Sequence, residues 1–291
     1  MLDTYEYVEV NTPQEEKADW VLDALKDSEI HPGKQYHKPE IIFQIREHGA
    51  MQFEYRRVFT LGNFSAITGK AKSKKTYLLS AIASCILGRR LMWDKFQGGL
   101  IEGKEMVLYF DTEQGTYDSW NVIRRIAVMA GTAERFRAFN LRRFTPSERC
   151  QIIEFAMMMH GNEAGLVIID GIADLATAIN DEDEATRVVS LLLRWTKDYN
   201  CHIATVIHQN KGDNFATGHL GSSIMKKCEV IISVTKEGWD SIVECQMIRG
   251  AQDFKPFKLA INSEGMPEID SVAIETGEVD FSKINNKTPF D

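Results

Sequence analysis

The stretch from Phe64 to Gly88 constrains this chain more than any other. An apolar run, Phe64–Thr68, leads straight into Gly69-Lys70-Ala71-Lys72-Ser73-Lys74-Lys75-Thr76, and an apolar helical stretch, Tyr77–Leu87, follows at once. A strand that is apolar throughout must be covered on both faces, so it belongs inside a sheet with helices packed on it. The rest of the chain agrees. Strand candidates fall at Met106–Asp111, Phe136–Phe139, Leu166–Asp170, Ile203–His208, Glu229–Thr235 and Ile242–Arg249. Helical stretches separate most of them, at Thr116–Ala130, Ser147–Met159 and Glu184–Tyr199. This alternation predicts an α/β core with a mostly parallel sheet. The last strands follow one another without helices, which predicts an antiparallel extension.

The N-terminal part differs. Residues 13–29 read as a short amphipathic helix, with Trp20, Val21, Ala24 and Leu25 on one face and Pro13 in the first turn. His31-Pro32-Gly33 ends it. Ile41–Ile45 and Phe53–Phe59 are further strand candidates. The expected organisation is an N-terminal helical arm over 1–50, a core over 51–275 and a polar flexible tail over 276–291.

Composition narrows the classes. With 34 basic against 42 acidic residues the chain carries a net charge of -8, which argues against coating nucleic acid by bulk positive charge. The basic residues are nevertheless clustered: four lysines lie within 70–75, and Arg124, Arg125, Arg135, Arg137, Arg142 and Arg143 crowd one stretch. These arginines read either as a solvated helix face or as a nucleic-acid contact. No apolar run approaches the ~18 residues of a membrane span, and the acidic N-terminus lacks the apolar core of a signal peptide. Five cysteines without regular spacing suit reduced thiols, so a cytoplasmic protein with no membrane contact is expected. His202 and His208 lack partners at metal spacing and read as core or sensor histidines.

The loop at 69–76 has the layout of a phosphate cradle, or P-loop. Gly69 makes the sharp turn, and the backbone N–H groups from Ala71 to Tyr77 with the helix N-terminus present partial positive charge to phosphates. Ala71, Lys72, Ser73, Lys74, Lys75, Thr76 and Tyr77 are the expected nucleotide-binding residues beside Gly69. Lys75 reaches the β/γ-phosphates and Thr76 holds Mg²⁺ through its hydroxyl. One position departs from the GxxxxGK[ST] pattern: Lys74 stands where glycine is expected. Its side chain either crowds the phosphates or leans away into solvent.

Downstream segments supply the remaining parts. Leu166–Asp170 ends in an acid at a strand tip, placed to bind Mg²⁺ or else to cap the turn at Gly171. Met106–Asp111 leads into Asp111-Thr112-Glu113-Gln114-Gly115. Glu113 is the first choice for the carboxylate that polarises the attacking water, with Asp111 second. The alternative is helix N-cap chemistry. His208 ends the strand Ile203–His208, where a polar group can sense the γ-phosphate. The following loop offers Lys211 for phosphate, and Asn214 and Phe215 beside it for a nucleic acid strand. A plain surface loop is the equal alternative. Asp181, Glu182, Asp183 and Glu184 suit the start of a helix better than a phosphate backbone.

Taken together, GKAKSKKT at 69–76, LYFDTEQG at 108–115, LVIIDGIADL at 166–175, ATVIHQNKG at 204–212, HLGSS at 219–223 and MIRG with PFKLAI near 247–261 resemble the RecA-like ATPase core. Within it they resemble the RepA-type replicative helicases of plasmids and mobile elements. The resemblance implies a three-layer RecA-like fold, ATP and Mg²⁺ as cofactors, and a ring-shaped homo-oligomer, a hexamer, with ATP between subunits. It implies an arginine finger from the neighbour, and Arg249 matches that position. It makes single-stranded DNA and replication or mobilisation proteins the expected partners. The Gly221-Ser222-Ser223 segment reads as a short turn. The competing reading is a non-motor accessory module, in which the altered P-loop binds nucleotide without turnover and regulates a recombinase, relaxase or replication partner.

Overall fold

The structure, a computed structural model, describes residues 13–209 and 218–270. In chain order its elements are α1 (Pro13–Ser28), β1 (Ile41–His48), β2 (Phe53–Thr60), β3 (Phe64–Gly69), α2 (Lys75–Leu87), β4 (Leu91–Met92), β5 (Phe96–Gly98), β6 (Met106–Asp111), α3 (Thr116–Ala130), β7 (Phe136–Asn140), α4 (Pro146–His160), β8 (Ala164–Asp170), a 3₁₀ turn (Ile172–Leu175), α5 (Glu182–Asp198), β9 (His202–His208), α6 (Gly218–Lys227), β10 (Val230–Glu237), β11 (Asp240–Ile248), β12 (Phe257–Ile261) and β13 (Pro267–Asp270). The chain divides into two compact units at Lys38/Pro39. The first contains α1, whose Trp20, Val21, Leu22 and Leu25 are exposed.

The second unit is built on a nine-stranded sheet of order β13-β12-β11-β10-β3-β9-β8-β6-β7. The strands from β10 to β7 pair in parallel, and β11, β12 and β13 add an antiparallel extension at one edge. Every residue of β3, β6 and β8 is buried, as continuous apolar runs require. Strand alternation sorts the core into two layers. Ile67, Tyr109, Ile168 and Val206 face the layer formed by α2, α3 and the β1–β2 hairpin. Ala66, Leu108, Ile169 and Ile207 face α4, α5 and α6.

A second, four-stranded antiparallel sheet of order β2-β1-β5-β4 closes over α2. The sequence reading found β1 and β2 but not β4 and β5, which are only 2 and 3 residues long and carry no periodicity of their own. The segment read as a turn at Gly221-Ser222-Ser223 lies inside α6 instead. Leu220 and Ile224, four residues apart, are both fully buried, so a helix is needed to bring them to one face.

Helix starts follow the local chemistry. Thr145 and Glu148 form a reciprocal capping box at α4. Asp181 accepts the Glu184 N–H at 2.9 Å, so the acidic run at 181–184 opens α5. Among the described residues no helix is long and apolar enough to cross a membrane. The proposed strand-contact residues Lys211, Asn214 and Phe215 and the tail 276–291 lie outside the described residues.

Candidate nucleotide site

In a parallel sheet the loops after the strand ends gather at one edge, and here they bring together residues far apart in sequence. β3 ends in Gly69, β6 in Asp111, β8 in Asp170 and β9 in His208, with Asp111 in register with Asp170 and Gly69 with His208. A cleft of ≈ 570 Å³ opens over these ends, lined among others by Lys75, Thr76, Glu113, Arg125, Asp170 and His208.

The loop between β3 and α2 is held by its neighbour hairpin. A Cβ at Gly69, φ +157°, would lie 2.4 Å from the Val234 carbonyl oxygen and 2.5 Å from Ser73 Oγ, so only glycine fits. Ser241 Oγ donates to the Ser73 carbonyl at 3.1 Å. Lys74 adopts the left-handed conformation, φ 68° and ψ 26°, that a glycine normally supplies. Its ammonium donates to the Trp239 carbonyl at the tip of the β10–β11 hairpin. The side chain therefore leans away along the hairpin, which answers the question its sequence position raises.

Lys75 is folded back on its own loop. Its Nζ donates to the carbonyls of Gly69 at 2.8 Å and Lys70 at 2.9 Å, and lies 3.3 Å from His208 Nδ1. Burial pulls its pKa down to about 8, against the opposing pull of Asp170 and Glu113. Asp170 Oδ2 accepts from Tyr109 Oη at 2.8 Å and from Thr76 Oγ1 at 3.1 Å. Burial pushes its pKa up to about 6, and the Asp111 charge adds to this, while the Tyr109 and Thr76 hydrogen bonds work the other way. The oxygens of Thr76 and Asp170 are the hard ligands that Mg²⁺ takes, so the pair fits that ion.

The two carboxylates after β6 separate clearly. Asp111 is fully buried, and its Oδ1 accepts the N–H groups of Glu113 at 3.0 Å and Gln114 at 2.8 Å. Asp111 thus shapes the turn. Glu113 projects from that turn into the cleft, with Oε2 3.6 Å from His208 Nε2. The His208 contact holds the Glu113 pKa below the usual carboxylate range, so Glu113 is ionised at neutral pH.

Arg249 lies elsewhere. It follows β11, whose end pairs with the start of β10, at the opposite end of the sheet from the cleft. Its backbone N–H donates to the Glu229 carbonyl and its Nη2 to the Lys226 carbonyl. The structure does not bring it to Lys75 of the same chain. His202 is fully buried, with Nδ1 2.8 Å from the Thr60 carbonyl and Nε2 2.9 Å from Ser65 Oγ, and burial lowers its pKa to about 3. It is a core histidine.

Two residues at the site were not singled out for it by sequence. Tyr109, fully buried mid-strand, reaches Asp170 from β6. Arg125 of α3 stands over the Tyr77 ring, 3.9 Å from its centroid, and donates to Ser80 Oγ at 3.3 Å. Beyond them the cleft continues into a second hollow of ≈ 490 Å³, lined by Tyr77, Asn121, Arg124, Arg125 and the β12–β13 turn at Glu264–Met266. A polar tip in an apolar strand was a usable signal for Tyr109; nothing local pairs Arg125 with Tyr77.

Residues 55–214, more than half of the chain and including every strand-end residue of this cleft, match the family model described as an AAA domain. The chain belongs to the AAA domain family. Among solved structures it is similar to a KaiC-like protein from the hyperthermophilic archaeon Pyrococcus horikoshii, with a TM-score of 0.52 and 14% identity over 73% of this chain and 91% of that one. At that identity the likeness speaks for the fold alone, and the fold is RecA-like. No curated protein matches the sequence. For this AAA domain, family and fold together support a RecA-like P-loop ATPase and imply a nucleotide, typically with Mg²⁺, as its ligand.

Proposed function

We propose that the protein hydrolyses ATP as a ring-shaped homo-oligomer, a hexamer, and uses the energy to move along or unwind single-stranded DNA in the replication or mobilisation of a plasmid or mobile element. The observation that carries the ATPase part is the convergence of Lys75, Thr76, Glu113, Asp170 and His208 from four different strand ends on one cleft. The DNA-acting part rests on the resemblance of the ordered motifs to RepA-type helicases.

In this reading Gly69, Ala71, Lys72, Ser73, Lys74 and Tyr77 form the cradle with their backbone, and the Lys75 ammonium exchanges its two carbonyl acceptors for phosphate oxygens. Thr76 and Asp170 hold Mg²⁺, which neutralises phosphate charge when bound. Glu113, ionised and free of the turn-holding duty of Asp111, orients the attacking water. His208, between Lys75 and Glu113, responds to the γ-phosphate. The hollow beside Tyr77 and Arg125 takes the base. Arg249 completes the site of a neighbouring subunit, which accords with its distance from its own cleft. Lys211, Asn214 and Phe215 contact the strand.

The Lys74 ammonium is taken up by the Trp239 carbonyl, which removes one objection to nucleotide binding and is compatible with the motor and with the accessory-module reading alike. The test is steady-state ATP hydrolysis across protein concentration, with and without single-stranded DNA, beside Lys75→Ala. DNA-stimulated turnover that rises cooperatively with concentration and vanishes in the variant is expected. Nucleotide binding with no turnover under any condition refutes the motor.

A further inference from the structure

Glu113 enters the cleft from a turn, Asp111-Thr112-Glu113-Gln114-Gly115, that has no apolar side chain to bury. Its own side chain is 61% exposed, so its direction is set by the backbone of the turn rather than by packing. Asp111 holds that backbone from within. On the β7 side, Asn140 Nδ2 donates to the Gln114 carbonyl at 2.9 Å. The remaining tie runs through Thr112 and leads out of the turn. Thr112 is fully buried, and its N–H donates to the Asp170 carbonyl at 2.9 Å. Its Oγ1 lies 2.9 Å from Asp174 Oδ2, 2.9 Å from the Gly171 carbonyl and 3.2 Å from the Asp170 carbonyl.

One hydroxyl proton faces these three acceptors, and Asp174 is the only carboxylate among them, the strongest acceptor of the three. Among the described residues Thr112 is also the only side chain that hydrogen-bonds to the Asp174 carboxylate, and no cation pairs with it. Asp174 is therefore not placed for an ion pair; the partner it has is the residue before Glu113. Its own position is anchored. The Asp174 N–H donates to the Gly171 carbonyl at 3.1 Å, and Arg149 of α4 donates to the Asp174 carbonyl at 2.8 Å. The same guanidinium grips the carbonyls of Leu141 at 3.1 Å and Arg142 at 2.9 Å. A continuous tie thus runs from α4 through the 3₁₀ turn to Thr112. Around Gly171 it closes on the site. A Cβ built there would lie 3.4 Å from Thr112 Oγ1, 3.6 Å from Asp174 Oδ2 and 3.7 Å from Glu113 Oε2, so the three side chains meet over one point.

We propose that Thr112 and Asp174 are positioning residues for Glu113: their hydrogen bond fixes the turn so that the Glu113 carboxylate stands where it orients the attacking water. The proposal rests on the water-orienting role given to Glu113 above. Neither residue lines the cleft, so both act through Glu113. A misplacement of about 1 Å can cost about a hundredfold in rate. Lys75 and Thr76 stand on the loop after β3, outside this tie. Its loss therefore lowers kcat and spares nucleotide affinity.

The experiment compares the full chain with Thr112→Val, which keeps the shape and removes the hydroxyl, Asp174→Ala, their double variant, and Thr112→Ser, which keeps the hydroxyl. Steady-state ATP hydrolysis and binding of a labelled ATP analogue with Mg²⁺ are read for each. Both single variants are expected to lose about ten- to hundredfold in kcat while binding stays within about twofold of wild type. The double variant is expected to be no worse than the poorer single one, because both changes remove the same bond. Thr112→Ser is expected to stay within about threefold of wild type in kcat. Losses that multiply in the double variant, a fall in binding that matches the fall in kcat, or a serine variant as poor as the valine one refutes the proposal. A second measurement needs no turnover. Backbone amide exchange over residues 112–116 is expected to quicken about tenfold in Thr112→Val and Asp174→Ala, while the amides of α2 keep their protection. Unchanged exchange in the turn refutes the tie, and faster exchange with unimpaired turnover refutes its service to Glu113. A wild type that binds nucleotide but never hydrolyses it overturns the role of Glu113 itself, a failure distinct from either.

Discussion

Asp170→Asn tests the electrostatics of the site without any assumption about turnover. The wild-type carboxyl is buried, and its pKa lies at about 6 rather than 3.8. Because the folded state holds the proton more tightly than the unfolded chain, stability falls as pH rises through the window from about 4 to 6, and the full cost is present above it. Two units of pKa correspond to about 3 kcal/mol. Asparagine keeps the shape and an acceptor for Tyr109 and Thr76 but has no charge to bury. In the absence of nucleotide, the variant is therefore expected to be more stable than wild type by about 3 kcal/mol at pH 8, or about 5–10 °C in melting temperature for a chain of this size. At pH 4.5, below most of the window, the gain shrinks to about 1 kcal/mol. Thermal or urea denaturation at the two pH values measures both numbers. With Mg²⁺ and saturating nucleotide the gain narrows, because the variant has lost a charged Mg²⁺ ligand and so draws less linkage stabilisation from the bound nucleotide than wild type does. A variant less stable than wild type at pH 8, or one whose gain is the same at both pH values, refutes the reasoning.

Two further outcomes follow from the same geometry. Tyr109→Phe removes the donor that holds down the Asp170 pKa; at about 1.5–3 kcal/mol for a hydrogen bond to a charged acceptor, that pKa rises by about one to two units. The acid limb of Mg²⁺-dependent nucleotide binding, followed by fluorescence of a labelled analogue, is expected to move up by that amount, and an unmoved limb rejects the link between the two residues. Arg125→Ala opens the Tyr77 side of the base hollow and is expected to weaken ATP binding about tenfold by loss of a partly desolvated cation–π contact, while free triphosphate competes equally well against both proteins; equal loss for both ligands argues against a base site there.

Much of this site could be read along the chain because its pieces are contiguous. The strand, loop and helix from Phe64 to Leu87 announce themselves, and Asp170 and His208 stand at the ends of apolar runs. What resisted was whatever depends on a partner distant in sequence. Asp111 and Glu113 are two residues apart and chemically alike; only the backbone shows that Asp111 is spent on the N–H groups of Glu113 and Gln114. Lys74 looked like a defect, yet the hairpin 165 residues on gives its ammonium an acceptor. β4 and β5 are too short to pattern and exist because β5 pairs with β1 across Phe43 to Ile45. The turn read at Gly221-Ser222-Ser223 became helix because burial of Leu220 and Ile224 outweighed the poor helix propensity of glycine and serine.

The sheet order has a practical consequence for anyone shortening this protein. The family match ends at residue 214, yet β10, which begins at Val230, lies directly beside β3. A chain cut where the match ends would turn the phosphate-loop strand, buried at every residue, into an open edge of unpaired N–H and carbonyl groups on an apolar surface. Such an edge recruits other strands and aggregates. It would also lose the hairpin that supplies the Val234 wall above Gly69, the Ser241 tie to Ser73 and the Trp239 acceptor for Lys74. A piece able to carry this site therefore includes the β10–β11 hairpin and, for the hollow beside Tyr77, the β12–β13 turn at Glu264–Met266, well past the boundary that sequence similarity draws.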